Sequence, residues 1–313
     1  MDARPITSRT SPVSPQTGRL SVGQGRRRHT ANAGYVLVLP YIAHFLTFVA
    51  FPLVFSFVLI FHRWDILSPM QWIGLGNVHR LLHDRLFFRA LANTGVFLLI
   101  HIPLQIVIAL ALAVFLNQKL RLRGFFRAIF FLPVVVSGVV TTMLWDSLYA
   151  QDTGVLNNVL SSLGLGRVPW LTSPTMAMPS IAIMATWKNV GLYIVLFLVG
   201  LQSVPQHLYE AADIEGASPW RKFRHITLPM INPTVVMVVI LSTIGGFSLF
   251  IEPYIMTGGG PIRSTLSAVL YIYHQAFQFN HMGYAATLGF FFALIVFMVV
   301  LLQKRVVEQE TGL

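Results

Sequence analysis

Three ionisable side chains lie inside or at the edge of long apolar runs: Lys188 in "WKNVGLYIVLFLVGLQSVP", Glu252 in "LFIEPYIM" and Asp146 in "TTMLWDSL". A charge at the middle of a bilayer costs ~2.5–3.5 kcal/mol on insertion scales, so each group needs a polar cavity, a partner or a task. At a rise of about 1.5 Å per residue, Lys188 lies about 20 Å from one end of its run, and Glu252 about 27 Å from the far end of its own. The lysine is therefore near mid-membrane and the glutamate nearer an interface. Trp187, Asn189, Gly191 and Tyr193 accompany Lys188 with stacking and hydrogen-bonding groups that suit a hydroxylated ring; an ion pair tying helices together is the other use of such a lysine. Gly245 and Gly246 interrupt the run that carries Glu252. Irregular backbone at that depth is tolerated only where it is covered by protein or lines a cavity, although a glycine pair also serves close helix packing. With Phe247, Ser248, Phe250 and Tyr254, the pair nominates this segment as the wall of a path. Asp146 reads as interfacial.

Other chemistries lack their residues. The chain has no cysteine, which removes disulfides, thiolate metal sites and a cysteine nucleophile. No Gly-Lys pair occurs, so there is no P-loop to hold nucleotide phosphates; "TGGGP" is Gly-rich but has no lysine after it. Neither HExxH nor GxSxG is present, and no paired carboxylates stand out, so the sequence does not read as an enzyme. His44 and His101 have no ligand partner at i+3 or i+4 and read as core or pore residues.

The elements that must position these groups are set by composition. Of 313 residues 55% are hydrophobic and only 11% charged, and the mean hydropathy is +0.68, too apolar for a soluble domain of this size. A hydrocarbon core of ~30 Å needs ~20 apolar residues of helix. Six segments qualify, near 35–61, 93–117, 126–150, 178–202, 233–257 and 283–303. The expected fold is all-α and polytopic, with six transmembrane helices in a domain over 34–308, a disordered basic tail over 1–33 and a short C-terminus over 309–313. The net charge of +11 is spread over the ends of the apolar runs rather than gathered in one patch, which argues against nucleic acid. Fifteen Lys and Arg fall on the side of the termini, six on the other, and Lys188 within a span. The positive-inside rule puts both termini and the 203–232 loop in the cytoplasm. Arg26, Arg27 and Arg28 precede an apolar run about twice as long as a signal-peptide core, so it reads as a retained first span. On the opposite side, "WIGLGNVHRLLHDRLFFRALANT" reads as an interfacial amphipathic helix and "TGGGPIRST" as a flexible turn.

The 203–232 loop holds a careful helical pattern. Pro205 through Glu215 can form one short helix, Gly216 breaks it, and Ser218 followed by Pro219 starts a second. Arg221 occupies the position where a capping box would need Glu. The result is a helix-turn-helix with an Ala-rich patch and a basic shoulder, a surface fit for a protein groove.

The pattern Glu210, Ala211, Ala212, Gly216, Ile226, Leu228, Pro229, with Ala217, Phe223 and Pro233, resembles the EAA loop of binding-protein-dependent ABC transporter permeases. Glu215 stands where Asp is common before the glycine. "WIGLGNVHRLL", "LRGFFRAIFFLPVVVSGVV", "GVLNNVL", "WKNVGLYIVLFLVGLQSVP", "TGGGP" and "GYAATLGFFFALI" extend the resemblance to the carbohydrate-uptake branch, which includes maltose-type and glycerol-phosphate-type permeases. The resemblance implies that Glu210 through Gly216 form a coupling helix that enters the cleft of a separate ATPase, with Ala217, Phe223, Leu228 and Pro229 of this chain completing the coupling surface. It implies a second permease subunit, two ATPase subunits carrying ATP and Mg, no cofactor on this chain, and an extracytoplasmic solute-binding protein. The location implied is a bacterial cytoplasmic (inner) membrane and the solute a sugar, oligosaccharide or polyol phosphate. The alternative is an ion-driven secondary transporter with Lys188 and Glu252 as coupling residues, a class that usually shows inverted repeats and more spans.

Overall fold

In the computed structural model, residues 37–118, 121 and 123–309 are described. The tail over 1–33 and residues 310–313 lie outside them. Residues up to Val54 form one unit and those from Phe55 a second. The first carries most of helix α1 (Leu37–Leu59), which is long and apolar enough to cross a membrane. A π turn at Leu46–Ala50 precedes Pro52. Proline has no N–H, so the helix widens ahead of it and Phe51 N–H reaches back to the Leu46 carbonyl.

The second unit is all-α apart from one small hairpin, β1 (His62–Arg63) paired antiparallel with β2 (Gln71–Trp72). The expected interfacial helix is divided. Helix α2 (Gly76–Leu82) ends before Asp84, and α3 (Arg85–Asn117) runs from there straight through the second span. Leu81 and Phe87 turn inward while Leu82 and Phe88 remain exposed, the two faces that the apolar spacing requires.

The third span, expected as one helix over 126–150, is a pair. Helices α4 (Arg123–Val135) and α5 (Gly138–Tyr149) meet at 98°. Pro133 inside α4 lacks a donor and crowds the preceding turn, and the helix ends two residues later. Thr141 and Thr142 hydroxyls then bond carbonyls of Ser137 and Gly138 at the start of α5. After a short helix α6 (Val155–Ser162) comes α7 (Ala177–Gln202), the most deeply buried of the spans. It packs on α3, α4 and, through its middle, the rest of the core. Ala109 and Ala113 allow α3 close to α7. Gly191 lets α7 meet α4: a methyl group there would come within 2.1 Å of the Phe130 carbonyl oxygen.

Helices α8 (Gln206–Ile214) and α9 (219–230) form the loop after α7. The fifth span is again broken, into α10 (Asn232–Phe247) and α11 (Ile251–Met256). The helix runs through Gly245 and Gly246 and breaks at 248–250, just beyond where the sequence suggested. Ser267 Oγ donates to the carbonyl of Leu249 at 2.6 Å and accepts from Leu270 N–H, so one hydroxyl serves the break and caps helix α12 (268–278). The 257–265 turn is not loose. Arg89 Nη2 donates to Ile262 O at 2.8 Å, and Asn93 Nδ2 donates to Arg263 O and Leu266 O, pinning it to α3. Helix α13 (Met282–Gln309) completes the fold.

Asp84 joins three of these elements. Its Oδ1 caps α3 through the Leu86 and Phe87 N–H groups, and its Oδ2 accepts the hydroxyls of Tyr271 on α12 and Tyr284 on α13. Partial burial alone would raise the carboxyl pKa; the two tyrosine hydroxyls and two backbone donors outweigh it and hold the group below its ordinary range. A depressed carboxylate contributes stability that is present above the unfolded value and lost as pH falls through the folded one. Asp84→Asn is therefore expected to destabilise the purified chain by about 1–3 kcal/mol at neutral pH. In thermal unfolding, the gap from wild type should close below about pH 4; a gap that persists there unchanged would exclude the charge as its source.

Candidate functional site

A cavity of about 220 Å³ opens where α3, α7, α10 and α11 converge. Lys188, Asn189 and Tyr193 line it from α7, Gly245 and Gly246 from α10, and Ser248 and Glu252 from the break and α11. The wall also includes Phe97, His101, Ala185, Ser242, Leu249 and Ile251. One helix-interior lysine and one glutamate thus share a small space with hydroxyl, amide and aromatic groups. Among the described residues neither charge is in an ion pair, and Lys188 has no helix-tying partner among them. The ammonium sits beside the other broken span: a methyl group on Gly138, the first residue of α5, would come within 2.8 Å of Lys188 Nζ and 3.2 Å of Ile251 Cδ1. Both breaks therefore border one charged cavity.

His101 belongs to the wall as a satisfied residue. Its ring stacks on Phe97, with centroids 4.9 Å apart, and its Nδ1 is 2.8 Å from Thr186 Oγ1. Thr186 already donates its proton to Ala182 O, so the imidazole Nδ1–H is the donor. Gln105, one turn on, donates to Ser242 Oγ at 3.1 Å. Thr94, His101 and Gln105 fall at helical spacing on one buried face of α3, and that polar stripe in an apolar span was the sequence signal for this wall.

The glycine pair divides. A methyl group on Gly246 would come within 2.4 Å of Leu98 Cδ2, so this glycine is where α10 meets α3; around Gly245 there is nothing within 4 Å. Four other residues singled out from sequence stand elsewhere. Phe247 packs edge-on against Phe292 of α13. Phe250 stacks on Tyr254, and both meet Tyr273 in an aromatic cluster on α11 and α12. Trp187 contacts Trp145 and lines a larger apolar recess against α4 and α5.

At the other end of α7, the α8–α9 unit has the geometry its sequence spells out. Pro205 is the N-cap of α8 rather than part of its first turn. Glu215 closes the helix and Gly216, at φ +71°, takes the left-handed conformation open to glycine, so that Ala217 N–H bonds Ala212 O at 2.9 Å. Ser218 Oγ accepts from Arg221 N–H, with Pro219 at the first helical position. Lys222 Nζ and Asp213 Oδ1, 2.6 Å apart, and Tyr209 and Thr227 hydroxyls, 2.8 Å apart, clamp the two helices together. Phe223 lies half-buried beneath Trp220, and Leu228 and Pro229 follow a π turn over Phe223–Thr227. Ala212 faces the core, while Glu210, Ala211 and Glu215 face outward. The largest apolar groups presented are Ile214, 89% exposed, and Trp220, 67% exposed, neither singled out from sequence.

Residues 105–309 match the family of binding-protein-dependent transport system inner membrane components. The chain belongs to that family. LacF of Rhizobium radiobacter, a lactose transport system permease protein, is 39% identical over 276 residues, covering 86% of this chain and 92% of the relative. MalF of Thermococcus litoralis, a trehalose/maltose transport system permease protein, is 35% identical over 254 residues, covering 81% and 85%. A chain in the crystal structure of a bacterial alginate ABC transporter, in complex with alginate pentasaccharide-bound periplasmic protein, aligns with a TM-score of 0.80 at 26% identity, covering 92% of this chain and 98% of that one. This permease is thus a multi-pass inner-membrane protein, all-α in fold as its sequence predicts.

The divided glycine pair gives a test of the cavity's construction. Gly246→Leu should separate α10 from α3 and destabilise the permease by about 1–3 kcal/mol, the usual range for overpacking, seen as early thermal aggregation. Gly245→Ala should leave the midpoint within about 0.5 kcal/mol of wild type. Equal losses at both positions would contradict the assigned packing.

Proposed function

We propose that this permease is the membrane-spanning subunit of an ATP-driven, solute-binding-protein-dependent importer, with a saccharide as its cargo. The observation that carries the reading is the cavity that holds Lys188 and Glu252, without ion pairs among the described residues, between two broken spans in a chain of this transport family. Lys188 and Asn189 offer donors, Glu252 and Ser248 offer acceptors, and Tyr193 and Phe97 offer faces for an apolar ring side. The named cargoes of the relatives, lactose, trehalose and maltose, support a saccharide, as does the alginate pentasaccharide carried by the periplasmic protein of the structural neighbour. That neighbour also supports an external binding protein as partner. A second permease subunit and two ATPase subunits complete the proposed assembly, with ATP and Mg on the ATPases. Phe247, Phe250, Tyr254 and Trp187 act in this scheme behind the cavity wall.

In this reading the α8–α9 unit is the coupling element. It is short, clamped and exposed, and Tyr209 and Ile226 pack it on the core cluster that contains the end of α7 and the start of α10. A push on Glu210, Ala211, Ile214 or Gly216 is passed to the helices that carry Lys188 and Gly245. The loop faces the cytoplasm together with both termini, on the strength of the lysine and arginine distribution.

One experiment separates the two roles. In the co-expressed transporter, Glu210→Lys with Gly216→Pro should abolish co-purification of the ATPase while the permease stays in the membrane. Lys188→Ala and Glu252→Ala should keep the ATPase bound and lower saccharide uptake about tenfold or more, the factor for one lost charge-assisted hydrogen bond. An ATPase that stays bound to the loop variant, or uptake by this chain alone under an ion gradient, would overturn the importer reading.

A further inference from the structure

A second recess, of about 790 Å³, lies between the β1–β2 hairpin, α2 and the start of α13. Arg63, Arg80 and His281 line it. Among the described residues neither guanidinium makes an ion pair or a side-chain hydrogen bond, although Arg80 lies 3.9 Å over the Tyr284 ring. His281 Nδ1–H donates to Gln275 Oε1 at 3.0 Å, which leaves its second nitrogen open. Burial, with the neighbouring Arg80 and Arg63 charges, holds the His281 ring below its ordinary pKa, so the three groups feel one another. The single carboxylate in the lining, Asp65, is engaged in its own turn, where Oδ1 accepts from Leu67 N–H, Ser68 N–H and the Ser68 hydroxyl. Its charge does not reach either arginine within ion-pair distance. The recess is a cationic pocket without a counterion from the described residues.

Its position identifies the anion. Arg63 follows the end of α1 by four residues and the neighbouring His281 directly precedes α13, so the recess stands at headgroup depth beside two span ends. Trp64 lines the recess, and Trp72 stacks on Phe61 with centroids 5.5 Å apart, the aromatic belt of a membrane interface. The hairpin lip presents Ile66, Leu67 and Met70, with Leu67 87% exposed. An apolar lip beside a cationic floor matches an amphiphile better than a free ion or an acidic peptide. We propose that this recess binds the phosphate of an anionic phospholipid from that leaflet, with Arg63 and Arg80 as donors and Leu67 and Met70 against its glycerol and acyl region.

The test uses the full chain in detergent, with phosphatidylglycerol or phosphatidylcholine added in equal amounts and retained lipid read by native mass spectrometry. Wild type should retain phosphatidylglycerol about tenfold over phosphatidylcholine. Arg63→Gln, a change in an exposed strand, should weaken that preference, and Arg63→Gln with Arg80→Gln should abolish it. Arg263→Gln, on the distant 257–265 turn, should preserve it. Equal retention of both lipids, or a preference that survives the double change, would overturn the proposal. Displacement of lipid by millimolar inorganic phosphate would assign the site to a small free anion instead. Retained lipid preference in the double variant, with loss of capture of the external binding protein, would assign it to an acidic protein surface.

Discussion

Hydrocarbon offers no partner to a bare backbone amide or carbonyl, and each one left unmet costs several kcal/mol. That constraint decides where the spans of this permease break. Pro133 precedes the end of α4 at Val135, Ser248 follows the end of α10 at Phe247, and the helices on both sides of each break pack on α7. The Ser267 hydroxyl meets the Leu249 carbonyl that the second break releases, while the Thr141 and Thr142 hydroxyls add bonds to the first carbonyls of α5. The space left between them holds Lys188 and Glu252, two charges that would be expensive in lipid and are tolerable beside a polar cavity. The site is a product of broken helices gathered around α7, the most buried of the spans.

The same economy of partners explains how distant parts act together. Ser267 serves the α10–α11 break and the start of α12 at once, Asp84 ties α3 to α12 and α13, and Asn93 holds the 257–265 turn on α3. In the cytoplasmic direction of the proposed topology, Lys222–Asp213 and Tyr209–Thr227 make the α8–α9 unit one body seated on the core. A motion imposed on that body has a short path to the broken spans, since α7 ends on one side of it and α10 begins on the other.

Much of this was legible in the chain. Apolar run lengths gave the spans, and Gly216, Ser218 and Pro219 marked the turn between α8 and α9 because only local capping chemistry was needed. Lys188, Asn189, Tyr193 and Glu252 were visible as polar groups where polarity is costly, and the structure brings them to one cavity. What escaped depends on tertiary partners. The size of the 98° bend that follows Pro133 is not written in the run length, and the fifth-span break falls at Ser248 rather than Gly245, where Ser267 of a distant segment meets the Leu249 carbonyl. Gly245 and Gly246 look equivalent in sequence, and only Leu98 of another helix separates packing from opening. The rigid 257–265 turn looked loose because its donors, Arg89 and Asn93, lie far away along the chain.

The absence of cysteine in the chain makes one measurement direct. A single Gly245→Cys change places a thiol in open space on the cavity wall. In the assembled transporter, a membrane-impermeant maleimide should label it at a rate that changes when ATP hydrolysis is arrested, and the transported saccharide should protect it. Labelling that is absent in every state, or indifferent to both nucleotide and saccharide, would contradict the assignment of this cavity to the translocation path.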